Sequence, residues 1–227
     1  MGKTSIAIDG PSGAGKSTLA RMLAKSNGFI YVDTGALYRC VGLYVLRKGV
    51  NSRDTETIKL ILPEIDIEMK YDADGVQRMY LCGEDVTDEI RTPEVSIYAS
   101  DVSAIPEVRA FLLDTQRGMA EKYDVIMDGR DIGTVVLPNA QIKIFLTASP
   151  EERARRRYEE LKAKGIDTCY NEVLRDVKYR DENDSTRAVA PLRPAEDSIT
   201  VDTTGNTLER SFEILRDLVE ERLRDGS

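Results

Sequence analysis

Near the N-terminus the chain reads Gly10-Pro11-Ser12-Gly13-Ala14-Gly15-Lys16-Ser17-Thr18, which fits the spacing G-x-x-x-x-G-K-S/T in full. Glycines at these positions let the backbone curl until several N–H groups and a helix N-terminus point at one cluster of phosphates. Lys16 then reaches the β- and γ-phosphates of a bound nucleoside triphosphate, and the Ser17 hydroxyl can ligate magnesium. A plain Gly-rich turn is the bland alternative. An apolar strand before the motif, Ser5 to Asp9, and a helical pattern after it favour the phosphate loop. Gly10 to Thr18 is therefore read as an ATP-binding loop, with magnesium carried by Ser17 together with the phosphates.

Four further clusters have the chemistry to complete a site. Asp33-Thr34-Gly35-Ala36-Leu37-Tyr38-Arg39 follows a second apolar strand directly, which in a doubly wound sheet places it at the carboxyl ends of the strands, where ligands bind. An Asp/Thr helix cap with one solvated Arg would look the same. Asp128-Gly129-Arg130-Asp131 closes the strand Val125-Ile126-Met127; there an acid suits a magnesium-bound water and an Arg can grip an acceptor phosphate by its planar fork. An Asp-Gly turn is its bland counterpart. Arg153, Arg155, Arg156 and Arg157 crowd one helix, with 153, 156 and 157 on one face. Glu151, Glu152, Glu159 and Glu160 nearby are enough to make them solvated ion pairs. Beside a phosphate loop, a flap delivering arginines to transferring phosphates is the better reading. Last comes Arg180-Asp181-Glu182-Asn183-Asp184-Ser185-Thr186-Arg187, either a charged helix end or a net for a polar base and its sugar.

The elements that must position these clusters can be traced in the same sequence. A helix from about 16 to 27, stopped by Gly28, and a strand at 29–32 make a β-α-β unit, hence a parallel sheet with a right-handed crossover. A second helix is expected over about 36–48. From Ile65 the apolar period changes to two and returns through 76–82 after Asp72-Ala73-Asp74-Gly75, an antiparallel hairpin inside an α/β chain. The expectation is an inserted small β lobe over about 63–99, within a core of 1–62 and 100–227. Pro93 and Pro106 open helices, the second reaching about 122. Strands at 124–128, 142–146 and 199–202 alternate with helices at about 149–165, capped by a Ser149/Glu152 box and acting as a helical lid, 170–181, and 207–224. The fold class expected is α/β, a parallel sheet flanked by helices of the phosphate-loop NTPase kind.

Of 227 residues, 41% are hydrophobic and 32% charged, and the net charge is −8 with a pI near 4.9. That composition excludes disorder and fibrous structure. It also disfavours nucleic acid and anionic membrane as partners, since both need a basic face. No apolar run reaches membrane-spanning length, and Cys40, Cys82 and Cys169 are odd in number and far apart, which fits reduced thiols in a cytoplasmic protein. No N-K-x-D follows the phosphate loop, so a guanine-selective switch is not expected.

Six segments taken together, GPSGAGKST, DTGALYR, GEDVTDEIRTPEV, DGRDIGTVV, SPEERARRR and RDENDSTRAVAPL, resemble the bacterial-type cytidylate kinases in order and spacing over almost the whole chain. The inserted β lobe resembles the enlarged nucleotide-monophosphate lobe of that family. The resemblance implies transfer of the γ-phosphoryl group of ATP to CMP or dCMP, with magnesium, by a monomer that needs only small nucleotides. It implies ATP at Gly10 to Thr18 and CMP at Thr34, Tyr38, Arg39, Ser100, Arg109, Asp128, Arg130, Asp131, Arg180, Asp184 and Arg187. Thr34 stands where Ser is common in the family; both supply a hydroxyl. The catalytic set expected is Lys16, Arg39, Arg130, Arg153, Arg156 and Arg157. Because the acceptor phosphate is itself the nucleophile, a chain without histidine lacks nothing for this reaction. A kinase for UMP, dTMP or a small alcohol, and a regulatory ATPase whose β lobe binds a protein, are the rival readings.

Overall fold

A computed structural model describes residues 3–225. Its centre is a five-stranded parallel sheet in the order β2-β6-β1-β7-β8, from β1 (Ser5–Asp9), β2 (Ile30–Asp33), β6 (Val125–Gly129), β7 (Ile142–Thr147) and β8 (Ile199–Asp202). The apolar runs of these strands are buried on both faces, as parallel strands under helices require. One face, carrying Ile6, Ile8, Ile126, Ile144 and Leu146, packs on α1 (Lys16–Asn27) and α8 (Leu208–Asp225) through Leu19, Leu23, Leu215 and Val219. The other face, with Ala7, Val32, Val125 and Met127, is covered by Ile132 and Val136 and by Leu113 and Met119 of α5 (Pro106–Lys122).

A second core lies beside the sheet. It joins α2 (Thr34–Arg47), α3 (Thr55–Ile61), α4 (Pro93–Val102) and the start of α5 to a three-stranded antiparallel sheet, β3 (Ile67–Tyr71), β4 (Gln77–Leu81) and β5 (Glu84–Asp85). α2 and α4 approach closely at Gly42, where a Cβ would lie 2.9 Å from the Ala99 nitrogen. A third small core, Ala154, Leu161, Val173 and Val177, holds α6 (Pro150–Ala163) against α7 (Tyr170–Thr186).

Several expectations needed adjustment. The hairpin gains a third strand, Glu84–Asp85, while the helix expected at Pro93 forms over Pro93–Val102 and packs on α2. Helix α3 is absent from the sequence reading, because seven residues with one fully buried side chain, Ile58, leave almost no periodic signal. The helix expected to end at 181 runs to Thr186, which puts Arg180 and Asp184 on one helix rather than in a loop. After β6 the chain makes a π-helical turn over Ile132–Val136, a stretch for which the sequence offers no element. At the start of α6, Ser149 caps the Glu152 N–H, but the Glu152 carboxylate turns to Arg155 and Arg156, so the capping box is half formed.

Candidate active site

The ends of β1, β2 and β6 open into one cavity of about 790 Å³. The loop from β1 to α1 forms one wall. Gly10 stands there at φ +146°, and a Cβ would sit 1.9 Å from the Leu146 carbonyl oxygen, so only glycine lets the loop leave the sheet at this point. Lys16 is almost completely buried, and its Nζ donates to the Pro11 carbonyl at 2.8 Å. Burial, with Arg130 nearby, holds its ammonium well below the usual lysine range. Ser17 Oγ donates to Asp128 Oδ2 at 3.0 Å, and Tyr31 OH donates to Oδ1 of the same carboxylate at 2.8 Å. Burial first, and the neighbouring Asp33 second, push Asp128 up to about 6. A buried carboxylate short of positive charge beside a serine hydroxyl is a donor set of hard oxygens, which suits magnesium.

Asp9 is the last residue of β1 and also buried. Its carboxylate accepts from the N–H groups of Ile132 at 2.8 Å and Gly133 at 2.7 Å, tying the strand that feeds the phosphate loop to the π-helical turn after Asp131. Burial outweighs both bonds and lifts Asp9 to about 6.

Opposite the loop is a set of buried arginines and acids. Asp33 caps α2 by accepting from Ala36 N–H at 3.0 Å, and Arg91 lies 2.8 Å from its other oxygen. Burial opposes its ionisation, but Arg91 and Arg39 prevail and hold Asp33 below the usual range. Thr34 Oγ1 donates to the Asp128 carbonyl at 2.8 Å. Arg39 donates to Ser96 Oγ at 2.6 Å and to the Ile90 carbonyl at 3.1 Å. Arg130 Nε donates to Asp184 Oδ2 at 2.7 Å, and Ser100 Oγ donates to Oδ1 at 3.3 Å. Asp131 lies between Arg109, in a close contact, and Arg187, whose second nitrogen donates to Ser103 Oγ at 3.0 Å. The Arg109 guanidinium also lies 5.5 Å from the centre of the Tyr38 ring.

Positive charge is in excess here. Burial, then Arg180, lowers Arg39 to about 9; burial, then Arg130, lowers Arg180 to about 10, and the Arg180 Nε is buried without a partner. Arg187 is lowered too, by burial and by Arg109. Arginines do not surrender their protons at neutral pH. The shifts instead measure how much this cluster gains when an anion arrives.

The structure brings Ser12 to Thr18, Thr34, Tyr38, Arg39, Ser100, Arg109, Asp128, Arg130, Asp131, Arg156, Arg157, Arg180, Asp184 and Arg187 to the cavity wall. Gly10 and Pro11 lie just behind it. Arg156 donates to the Thr203 carbonyl at 2.7 Å and Arg157 to Glu160 at 2.9 Å. Arg153 is placed differently: only 3% exposed, it sits behind the loop with its fork on Asp181. Asp9, Tyr31, Arg91 and Ser103 are not singled out by the sequence, whereas Asp33 is, and it caps α2. Asp9 and Tyr31 read there as ordinary strand positions, and only the pairing of β1 and β2 with β6 reveals what their side chains meet.

The family model described as Cytidylate kinase matches residues 6–221. Curated relatives carrying that name include one from Caldicellulosiruptor bescii, 54% identical over 97% of this chain and 96% of its own. One from Fervidobacterium nodosum is 50% identical over 96% and 97%, and one from Pseudomonas paraeruginosa 49% identical over 92% of each. Among solved structures, an uncharacterized protein from Eubacterium ventriosum shares the fold, with a TM-score of 0.53 and 14% identity over 96% of this chain and 99% of that one.

Proposed function

The chain belongs to the cytidylate kinase family, and from that premise, with its reaction the transfer of a phosphoryl group from ATP to CMP, we propose how its own residues divide the work. The observation that carries the proposal is the single cavity, with the phosphate loop on one side and a buried, positively charged set of arginines and acids on the other. A nucleoside monophosphate entering the second side supplies the negative charge that the arginines lack.

Residues 10–18 hold the ATP phosphates, with Lys16 leaving the Pro11 carbonyl for the β- and γ-phosphates. Ser17 and the Asp128 carboxylate would hold magnesium together with those phosphates. Bound there, the ion would offset charge on the β- and γ-oxygens. Arg39 and Arg130 hold the CMP phosphate so that one of its oxygens lies in line with the γ-phosphorus. That oxygen forms the new P–O bond while the bond to the β-phosphate oxygen breaks, leaving ADP. The acceptor oxygen needs no proton removed, so the residues' task is orientation and charge, which accounts for a site rich in arginine. Arg156 and Arg157 of the lid helix add charge at the transferring group, and closure excludes water.

Asp184 ion-pairs with Arg130, the phosphate grip, and carries Ser100, so it and Arg180 fall to the sugar of CMP or dCMP. Asp131, between Arg109 and Arg187 over the Tyr38 ring, falls to the cytosine. A carboxylate accepting the exocyclic amine beside an Arg donating to the ring acceptors distinguishes cytosine from uracil. Residues 63–99 would act as the acceptor lobe and 149–165 as the lid. We place the enzyme in the cytoplasm as a monomer acting on small nucleotides, without nucleic acid or membrane. Its acidity disfavours nucleic acid and anionic membrane as partners; no helix among the described residues is long and apolar enough to cross a membrane.

The deciding experiment is ADP release with magnesium-ATP against CMP, dCMP, UMP, AMP, GMP, dTMP and no acceptor. Turnover confined to CMP and dCMP is expected. Equal turnover of UMP would overturn the cytosine assignment, and activity indifferent to acceptor would move the chain to the ATPases.

A further inference from the structure

We propose that Arg153 and Asp181 are positioning residues that link the ATP loop to the CMP end of the cavity, so that each substrate tightens the binding of the other; the inference rests on the kinase reading above. Four of the five N–H donors of the Arg153 guanidinium are engaged. Nε donates to the Ala148 carbonyl at 2.8 Å, Nη1 to the Ser12 carbonyl at 2.9 Å and to Asp181 Oδ1 at 2.9 Å, and Nη2 to Asp181 Oδ2 at 2.5 Å. With its fork closed on a carboxylate and 3% exposure, Arg153 keeps one N–H uncommitted and does not line the cavity, unlike Arg156 and Arg157 on its wall.

The partners of Arg153 give it its role. Ser12 belongs to the phosphate loop, which rests on α6 so closely that a Cβ on Gly13 would come 3.1 Å from Arg153 Cβ. Asp181 belongs to α7, next to Arg180 and three residues before Asp184, both on the CMP side. One planar, rigid side chain therefore ties the curvature of the ATP loop to the helix that meets the acceptor. When CMP engages Arg180 and Asp184, α7 is fixed, Asp181 is held square to Arg153, and the Ser12 carbonyl is held with it. ATP then meets a loop whose ordering has already been met by the first substrate. Linkage makes the effect reciprocal.

The same two helices carry a second ion pair, Lys178 with Glu151 at 3.5 Å, exposed to solvent and outside the cavity wall. It separates this link from mere helix packing.

The test is calorimetric titration of CMP into the full chain, with and without a saturating non-hydrolysable ATP analogue and magnesium, for wild type, Asp181→Asn, Arg153→Lys and Lys178→Ala. In the wild type the analogue is expected to tighten CMP by at least about fivefold, and CMP to tighten the analogue equally. In Asp181→Asn and in Arg153→Lys that factor is expected to fall below about twofold, while Lys178→Ala keeps it. A wild-type factor of one, an undiminished factor in Asp181→Asn, or an equal loss in Lys178→Ala would each overturn the link. Wild-type protein that binds ATP analogue but no CMP would instead overturn the kinase reading beneath it, a different and recognisable failure.

Discussion

At the level of single residues, Arg130 and Asp128 face opposite demands. Arg130 is buried, which disfavours its charge, yet Asp184 more than compensates and holds it above the usual range. Removing a preorganised donor of this kind typically costs about 10²–10³ in turnover. Arg130→Ala is therefore expected to lower kcat/KM for CMP by about 10²–10³-fold in coupled ADP release; near-wild-type turnover would remove it from the acceptor grip. Asp128 carries a stability cost. Its folded pKa of about 6 lies above the ordinary 3.8, so between those values the folded state binds more protons than the unfolded one. Stability contributed by the protonated form is present below the ordinary pKa and lost as pH rises through about 6. In nucleotide-free protein, Asp128→Asn should therefore gain about 2 kcal/mol of unfolding free energy on wild type on going from about pH 4.5 to about pH 7.5, seen as a higher relative Tm, while losing CMP turnover. Parallel melting curves at the two pH values would show that Asp128 is not strained.

At the level of elements, the close approach of α2 and α4 at Gly42 sets the distance between Arg39 on one helix and Ser100 on the other. Gly42→Ala would crowd the Ala99 nitrogen and the Tyr98 backbone, and is expected to cost about 1–3 kcal/mol in denaturant unfolding. KM for CMP should rise several-fold while KM for ATP stays near its original value; equal changes in both would mean that the crossing does not govern acceptor geometry. This helix pair also shows what could be read from sequence. The phosphate loop, α1, α5 and the parallel strands are local patterns of period and cap, and they were legible. So were the cavity arginines and acids that lie in motifs, while Arg109 was expected only through the family resemblance and Arg91 not at all. Gly42 was not, because a helical glycine says nothing about which helix lies against it. Arg153 was assigned to the transferring phosphates by the face it shares with Arg156 and Arg157. Its actual partners, Ser12 and Asp181, are brought to it by two different elements that periodicity on α6 cannot reveal.

For the whole molecule, an acidic protein gathers a cluster of buried arginines in one cavity, where they lower one another. A ligand that relieves this should stabilise the fold in proportion to its charge more than its size. At a hundredfold excess over its Kd a ligand adds about 2.7 kcal/mol, equivalent to a rise in Tm of about 5–10 °C for a chain of this size. CMP is expected to produce such a shift and cytidine at the same concentration a much smaller one. Equal shifts in a thermal melt would show that the base, and not the phosphate, supplies the binding energy.

The strand order has a consequence in time. β1 and β2 are not neighbours; the strand that lies between them, β6, begins about 90 residues after β2 ends. On a ribosome adding about 5–20 residues per second, β1 and β2 wait roughly 5–20 seconds for the strand that pairs with both. During that wait their backbone edges and the apolar faces of Ile6, Ile8 and Val32 have no sheet to join, whereas the core around α2 and the antiparallel sheet is being completed from residues 34–112. Synthesis therefore completes the core around α2 before the parallel sheet can close, and a nascent chain arrested before β6 would be an aggregation hazard, its two free strand edges still unpaired.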